Sequence, residues 1–75
     1  MDELLSRITI EPDKNFGKPS IRRMRIRVQD VLEMLAAGDP PEEVLDAYPD
    51  LEPDDIRACI AYANAVITGR DIVVA

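Results

Sequence analysis

The chain has 75 residues, with 9 Lys or Arg against 15 Asp or Glu, and a formal net charge of −6. This length holds one domain, residues 1–75, whose small core predicts oligomerisation or a tight partner rather than a stable lone monomer. A hydrophobic content of 47% excludes a disordered tail. The single cysteine, Cys59, excludes an internal disulfide, and no apolar run is long enough to cross a bilayer. We therefore expect a cytoplasmic protein without membrane association.

The charge divides the chain into a basic front and an acidic back. Residues 1–27 hold seven cationic and four acidic side chains, for a net charge of +3, whereas residues 28–75 carry −9. Two interpretations stay open. The halves neutralise each other, within a fold or between subunits, or the front faces an anionic partner.

Residues 8–28 are predicted to form a β element and a loop. A brief first strand at Ile8–Ile10 ends before Pro12, and a second segment covers Arg22–Val28. Two sets of side chains alternate along that segment: Met24, Ile26 and Val28 on one side, and Arg23, Arg25 and Arg27 on the other. Because strand side chains alternate with a period of two, we predict a half-buried ribbon with an arginine face, paired with the first strand.

Residues 29–69 are predicted to form three helices. The first covers about Gln29–Ala37 and ends at Gly38. The second is predicted to begin with a capping box formed by Asp39 and Glu42, with Pro40 in its first turn, and to stop at Pro49.

The third helix is predicted to open at Glu52-Pro53, reach about Thr68 and end at Gly69. Its expected inward stripe is Ile56, Cys59, Ile60, Ala63 and Ile67. For the tail 70–75, Ile72-Val73-Val74 fits a strand, a dimer contact or a frayed end. The fold class is thus mainly α, a trihelical helix-turn-helix-like domain preceded by a short β-ribbon or hairpin.

Nothing in the sequence predicts catalysis. There is no histidine, and Cys59 lies on an apolar helical stripe without a basic neighbour, which is typical of a small core residue. Acids such as Glu42, Glu43 and Asp46 occupy first turns and solvent-facing positions, where capping and solubility account for them. We expect no catalytic residue, no metal site and no cofactor.

The combined pattern resembles a small prokaryotic family, the domain-of-unknown-function family four-three-three. The resemblance covers roughly residues 8–67 and rests on these fragments: Gly17-Lys18-Pro19-Ser20-Ile21-Arg22, Arg25-Ile26-Arg27-Val28, Asp30-Val31-Leu32, Leu35-Ala36-Ala37-Gly38, Glu42-Glu43, Tyr48-Pro49-Asp50-Leu51, Asp55-Ile56 and Ala61-Tyr62-Ala63. It implies a trihelical, usually dimeric domain. It also implies an antitoxin of a type II toxin–antitoxin pair, whose partner is a PIN-like nuclease and whose second target is its own promoter DNA.

The chain departs from that family at a few positions. Members usually have Gly and Thr where this chain has Arg23 and Met24, and often a Gly where it has Phe16. They also tend to have Thr or Ser in place of Glu52. The first departure enlarges the cationic face, and the loss of glycine raises the question of which conformation the loop adopts.

Three hypotheses follow for the cationic front. In the first, arginines of the ribbon enter the carboxylate ring of a PIN-like nuclease toxin and neutralise it. In the second, the protein is a DNA-binding regulator that uses a dimeric ribbon, because acids on the second and third helices disfavour their insertion into a groove. In the third, the arginines face acidic helices of a partner subunit in an assembly. The candidate binding residues are Arg22, Arg23, Arg25, Arg27 and Lys18.

Overall fold

Three helices follow a small β-hairpin in the computed structural model, which describes residues 3–69. The order is a 3-10 turn at Leu5–Arg7, strand β1 (Ile8–Thr9), a turn at Asn15–Gly17, strand β2 (Ser20–Ile21), and helices α1 (Val28–Ala36), α2 (Pro41–Ala47) and α3 (Pro53–Thr68). The predicted mainly α class with a preceding hairpin is confirmed. The prediction for Ile72-Val73-Val74 lies outside the described residues.

The hairpin is antiparallel and anchors the chain's first third to the core. Ile8 pairs with Ile21 and Thr9 with Ser20, and both isoleucines are fully buried. On its other side Ser20 forms a bridge with Arg27, and the Val28 N–H donates to the Pro19 carbonyl at 3.0 Å. The chain from Pro19 to Val28 therefore folds back on itself before α1 begins.

The predicted arginine ribbon does not form as a strand. Residues 22–25 are a turn, in which the Met24 N–H donates to the Ile21 carbonyl at 2.8 Å and Arg22 and Arg23 have φ of 46° and 63°. Positive φ at both central residues is the geometry of a type I′ hairpin turn. The separation of faces is nevertheless confirmed except at Arg27, which is half-buried. Met24 and Ile26 pack against the core, whereas Arg23 and Arg25 are exposed.

The core lies where the hairpin meets the three helices. It is aliphatic, and its members are Ile8, Ile21, Val28, Val31, Val44, Leu51, Ile56, Ala58 and Cys59. Helix α1 starts where the Asp30 carboxylate accepts a hydrogen bond from the Arg27 N–H at 3.1 Å, and Gly38, with φ of 96°, reverses the chain after it. Gly69, with φ of 71°, ends α3 as predicted.

The predicted capping box of α2 is wrong. Asp39 makes no side-chain cap, and the residue before the helix is Pro40, with φ of −71° and ψ of 160°. A proline forces the residue before it into an extended conformation, so Pro41 keeps Pro40 out of the helix and moves its start by one residue.

The predicted inward stripe of α3 is only partly right. Ile56 and Cys59 are buried, whereas Ile60 is 51% and Ile67 84% exposed. Their places in the core are taken by Ala58 and Ala65, together with Asp55, which is fully buried. The helix is thus rotated so that the Asp55 carboxylate faces inward beside Ile56, while Ile60 and Ile67 face outward. Across residues 3–69, no helix combines the length and the apolar character that crossing a membrane needs.

Candidate functional site

A buried carboxylate joins three distant parts of the chain. Asp55, in the first turn of α3, accepts hydrogen bonds from Arg7 Nη1 at 2.9 Å and from Arg22 Nη2 at 2.8 Å. Arg22 Nε adds contacts of 3.0 and 3.2 Å to the two carboxylate oxygens. The Glu52 N–H donates to the same carboxylate at 2.8 Å. We call Asp55, Arg7 and Arg22 the buried carboxylate cluster.

The electrostatics of the cluster favour the charged form of every member. Burial by itself would raise the pKa of the Asp55 carboxyl, but hydrogen bonds from Arg22, from the Glu52 N–H and from Arg7 outweigh it, so the pKa lies below its ordinary value. The hydrogen bonds that Arg7 donates to Glu52 and Asp55 raise the pKa of Arg7. The hydrogen bonds that Arg22 donates to Asp55 raise the pKa of Arg22 in the same way. Arg22 Nη2 also donates to the Asp50 carbonyl at 2.9 Å. Arg22 is therefore engaged within the fold.

Arg27 is engaged as well. Its Nη2 lies 2.9 Å from Asp30 Oδ1, and its Nε lies 3.2 Å from Asp30 Oδ2. These hydrogen bonds raise the pKa of Arg27, and they lower that of Asp30 against the opposing effect of its burial. Two of the four ribbon arginines predicted to bind a partner thus have structural roles.

The other two arginines lie on a projection formed by two turns that are hydrogen-bonded to each other. We call residues 14–18 and 22–25 the loop tip. In the first turn Asn15, Phe16 and Gly17 all have left-handed backbone, with φ of 52°, 58° and 75°. The Asn15 amide fastens it to the second turn by donating to Ser20 Oγ at 2.6 Å and to the Met24 carbonyl at 3.3 Å. Lys14 Nζ donates to the Arg23 carbonyl at 2.5 Å.

The loop tip presents unpaired cations. The side chains of Lys18, Arg23 and Arg25 are exposed, and none of them has an ion-pair partner within residues 3–69. By contrast the exposed Arg57 of α3 lies 3.3 Å from Asp54. Of the five predicted binding residues, the structure therefore leaves these three exposed on the loop tip and assigns Arg22 and Arg27 to internal contacts.

An exposed aromatic ring accompanies those cations. Phe16 is 94% exposed, the highest value among the large hydrophobic side chains of the described residues. A shallow cleft of about 300 Å³ separates it from Arg25 and is lined also by Pro12, Asp13 and Asn15. Sequence reasoning missed Phe16, although the absence of glycine at a turn position was a signal. It also missed the roles of Arg7 and Asp55. Asp55 lies 48 residues from Arg7 and 33 residues from Arg22 in the sequence, so these contacts leave no local pattern.

Two further kinds of chemistry were considered in the sequence, a cysteine nucleophile and a metal site. Burial, followed by the nearby Asp55 charge, raises the pKa of the Cys59 thiol to about 12, so the reactive thiolate is suppressed, as expected for a core cysteine. Within the part of the chain that is described, no three metal-ligating side chains come together. A larger cleft of about 750 Å³ lies beside the buried carboxylate cluster and is lined by charges of both signs, including Arg7, Arg57, Glu52 and Asp54.

The fold and the loop tip together define a small three-helix domain that carries exposed cationic side chains on a β-hairpin. The chain belongs to the family described as Protein of unknown function (DUF433), whose pattern matches residues 8–63. It is 40% identical over 58 residues to the uncharacterized protein y4eO of Sinorhizobium fredii, a match that covers 77% of this chain. The chain corresponds to 26% of that relative's length. No solved structure matches it significantly.

Proposed function

We propose that this protein is an antitoxin-type binding module that neutralises a PIN-like nuclease through its loop tip. The observation that carries the proposal is the pair Arg23 and Arg25, which are exposed and lack an acidic partner within residues 3–69 while Arg22 and Arg27 are held internally. A guanidinium can bind a carboxylate through two parallel hydrogen bonds. The proposed target is the ring of carboxylates with which such a nuclease holds divalent metal.

The geometry limits which arginines reach the partner. Arg22 donates four hydrogen bonds within the fold, so its removal would disturb the protein before any complex forms. Arg23 and Arg25 can be replaced without loss of an internal ion pair among the described contacts. The proposed contact residues are therefore Arg23 and Arg25, with Lys18 beside them, and the proposal places the protein in the cytoplasm.

The test is co-expression with the product of the neighbouring reading frame, tagged on that neighbour only. We expect the two proteins to co-elute in size-exclusion chromatography with light scattering. Arg23→Ala and Arg25→Ala should each weaken the complex by about 2–5 kcal/mol where the new charge pair is buried. Arg57→Ala is the matched control, because Arg57 is also an exposed arginine and lies on α3. Full inhibition of the nuclease by the double variant would refute the proposal.

A second copy of the chain is part of the proposal. Val66 and Ile67 near the end of α3 are 52% and 84% exposed and border an apolar groove of about 280 Å³ that also includes Leu32 and Tyr62. Their burial in a symmetric contact would support the expected homodimer. Ile67→Glu should then convert the dimer to a monomer in light scattering, whereas an unchanged dimer would locate the contact elsewhere.

DNA binding stays a prediction. The second hypothesis required a two-stranded arginine ribbon, and residues 22–25 form a turn instead. A turn that carries Arg23 and Arg25 still offers cations to phosphates, and the slope of log affinity against log salt would be about −0.9 for each phosphate contacted. The third hypothesis, an assembly subunit, predicts that joint replacement of Arg23, Arg25 and Arg27 dissociates the dimer.

A further inference from the structure

We infer that Phe16 is the apolar anchor of the loop tip, and that the partner protein receives its ring in an apolar pocket bordered by carboxylates. This inference rests on the proposed function and adds to it a residue, a pocket and a class of surface. Aromatic and arginine side chains dominate the energetics of protein interfaces, and here they occupy one projection.

The backbone at Phe16 is held in a conformation that a phenylalanine disfavours. Its φ of 58° and ψ of 32° lie in the left-handed region, where a β-carbon crowds the following carbonyl. The turn is closed by hydrogen bonds of 3.0 Å from the Gly17 N–H to the Lys14 carbonyl and from the Lys18 N–H to the Asn15 carbonyl. Left-handed residues on both sides leave the ring directed away from the core, with 94% of the residue exposed. Strain of this kind concentrates at binding and active sites.

The surroundings of the ring are tied to the strands by hydrogen bonds, which lowers the entropy lost on binding. Asn15 is tied to Ser20 and Met24 through its amide, and Ser20 is itself buried in β2. The second turn is tied to β1 by the hydrogen bond from the Arg23 N–H to Thr9 Oγ1 at 3.1 Å. Both turns are thus connected to the strands rather than only to each other. A preorganised ring on such a support gives affinity that a flexible loop would lose.

The charges around Phe16 fit a protein surface better than a nucleic acid. Arg25 lies across the small cleft from the ring, but Asp13 lines the same cleft and is exposed. A phosphate backbone is uniformly anionic and would repel Asp13. The net charge of −6 on this chain also opposes the approach of a nucleic acid. A protein partner can place carboxylates opposite Arg23 and Arg25 and a cation opposite Asp13. The apolar ring then fills a pocket between them.

The experiment measures the affinity of the purified chain for the product of the neighbouring reading frame by calorimetry. The variants are Phe16→Ala, its conservative counterpart Phe16→Tyr, and Ile60→Ala as a matched control, because Ile60 is an exposed apolar residue on α3 outside the loop tip. Thermal unfolding of each variant verifies the fold. We expect Phe16→Ala to weaken binding about 30-fold, the ratio that corresponds to a hot-spot residue. Ile60→Ala should stay within about threefold, a ratio typical of near-neutral interface positions. Phe16→Tyr keeps the ring but brings a hydroxyl into an apolar pocket, so it should weaken binding more than Ile60→Ala does and less than Phe16→Ala does.

The outcomes separate the anchor from the proposed function. Binding that is lost in the Arg23 and Arg25 variants but kept in Phe16→Ala overturns the anchor and leaves the proposed function standing. A native chain that does not bind the neighbouring product overturns the proposed function and, with it, the anchor. A third outcome is that the chain instead binds a 15-nucleotide single-stranded DNA and loses that binding in Phe16→Ala. That result would assign the ring to base stacking and overturn the proposed protein pocket.

Discussion

Arg22 and Asp55 are 33 positions apart in the sequence and meet through three hydrogen bonds of 2.8 to 3.2 Å. The contact fastens the turn that carries Arg23 and Arg25 to the first turn of α3. Because Asp55 is fully buried and also binds Arg7, the three side chains form a unit in which each charge depends on the others. The stability of the domain and the position of its proposed binding surface are therefore linked.

Asp55→Asn should destabilise the domain by about 3 kcal/mol, at the lower end of the range for breaking a buried ion pair, because Arg22 retains some access to solvent. The variant leaves two arginines without their shared carboxylate. Urea unfolding followed by circular dichroism measures the change. Asp46→Asn is the control, since Asp46 is exposed on α2 and should change the free energy of unfolding by less than about 0.5 kcal/mol.

Acid should unfold the domain through its carboxylates. The folded-state pKa values of Asp55 and Asp30 are lowered relative to the unfolded chain, so their contribution to stability is complete above the unfolded value of about 3.9 and is lost as the pH falls through the folded values. Unfolding free energies measured in urea should be nearly constant from about pH 7 to pH 5 and fall below about pH 4. The fall should be shallower in Asp55→Asn. An equally steep fall in that variant would assign the acid sensitivity to other groups.

Arg22 and Arg25, both in the second turn, should differ in their effect on stability. Arg22→Ala should lower the midpoint of thermal unfolding, because it leaves the buried Asp55 with only Arg7 and one backbone N–H among the donors described. Arg25→Ala should leave the midpoint within experimental error, since the exposed Arg25 side chain makes no ion pair or hydrogen bond in residues 3–69. Equal losses in the two variants would contradict the division between internal and free arginines.

Phe16→Gly should stabilise the domain by about 0.5–1 kcal/mol, because relief of about 1–2 kcal/mol of left-handed strain exceeds the added entropy of the unfolded chain. Phe16→Ala keeps a β-carbon at the same φ and should leave the stability nearly unchanged. Differential scanning calorimetry should show a rise in Tm of about 4 °C for the glycine variant alone. A loss of stability in Phe16→Gly would mean that the ring makes a stabilising contact.

The Cys59 thiol should react only in the unfolded protein. It is buried, and its pKa of about 12 leaves almost no thiolate at neutral pH. A chromogenic disulfide reagent should therefore modify the native chain very slowly and the urea-unfolded chain at once. Rapid modification of the native chain would show that α3 opens locally at Cys59.

The helices were predictable because their limits are encoded locally. The glycines and prolines that limit the helices act on only one or two neighbouring residues; they are Gly38, Pro49, Pro53 and Gly69. Helix α3 begins at Pro53 and ends before Gly69, as predicted. The ribbon was mispredicted because alternation describes a strand but carries no information about a reversal, which here is made by arginines at positive φ rather than by glycine. The rotation of α3 was mispredicted because Asp55 reads as a first-turn acid, and its partners Arg7 and Arg22 are distant in sequence.

For the candidate site, the sequence indicated the region and the residue type, but it did not show which arginines are bonded internally and which are exposed. Arg22, Arg23, Arg25 and Arg27 look equivalent as letters, and only tertiary contacts with Asp55 and Asp30 distinguish the engaged pair from the free pair. In the sequence Phe16 stands out only as a phenylalanine where family members often have glycine. Its role as a projecting ring depends on a left-handed turn that no periodic pattern predicts.

The wide sequence separation of the buried carboxylate cluster has a kinetic consequence. Its contacts close loops of 48 and 33 residues, and because closing a long loop costs entropy, we expect them to form late in folding. Contacts that are absent from the folding transition state affect the rate of unfolding rather than that of folding. We therefore expect Asp55 to set how long a folded molecule persists, and with it the lifetime of the loop tip in its binding conformation.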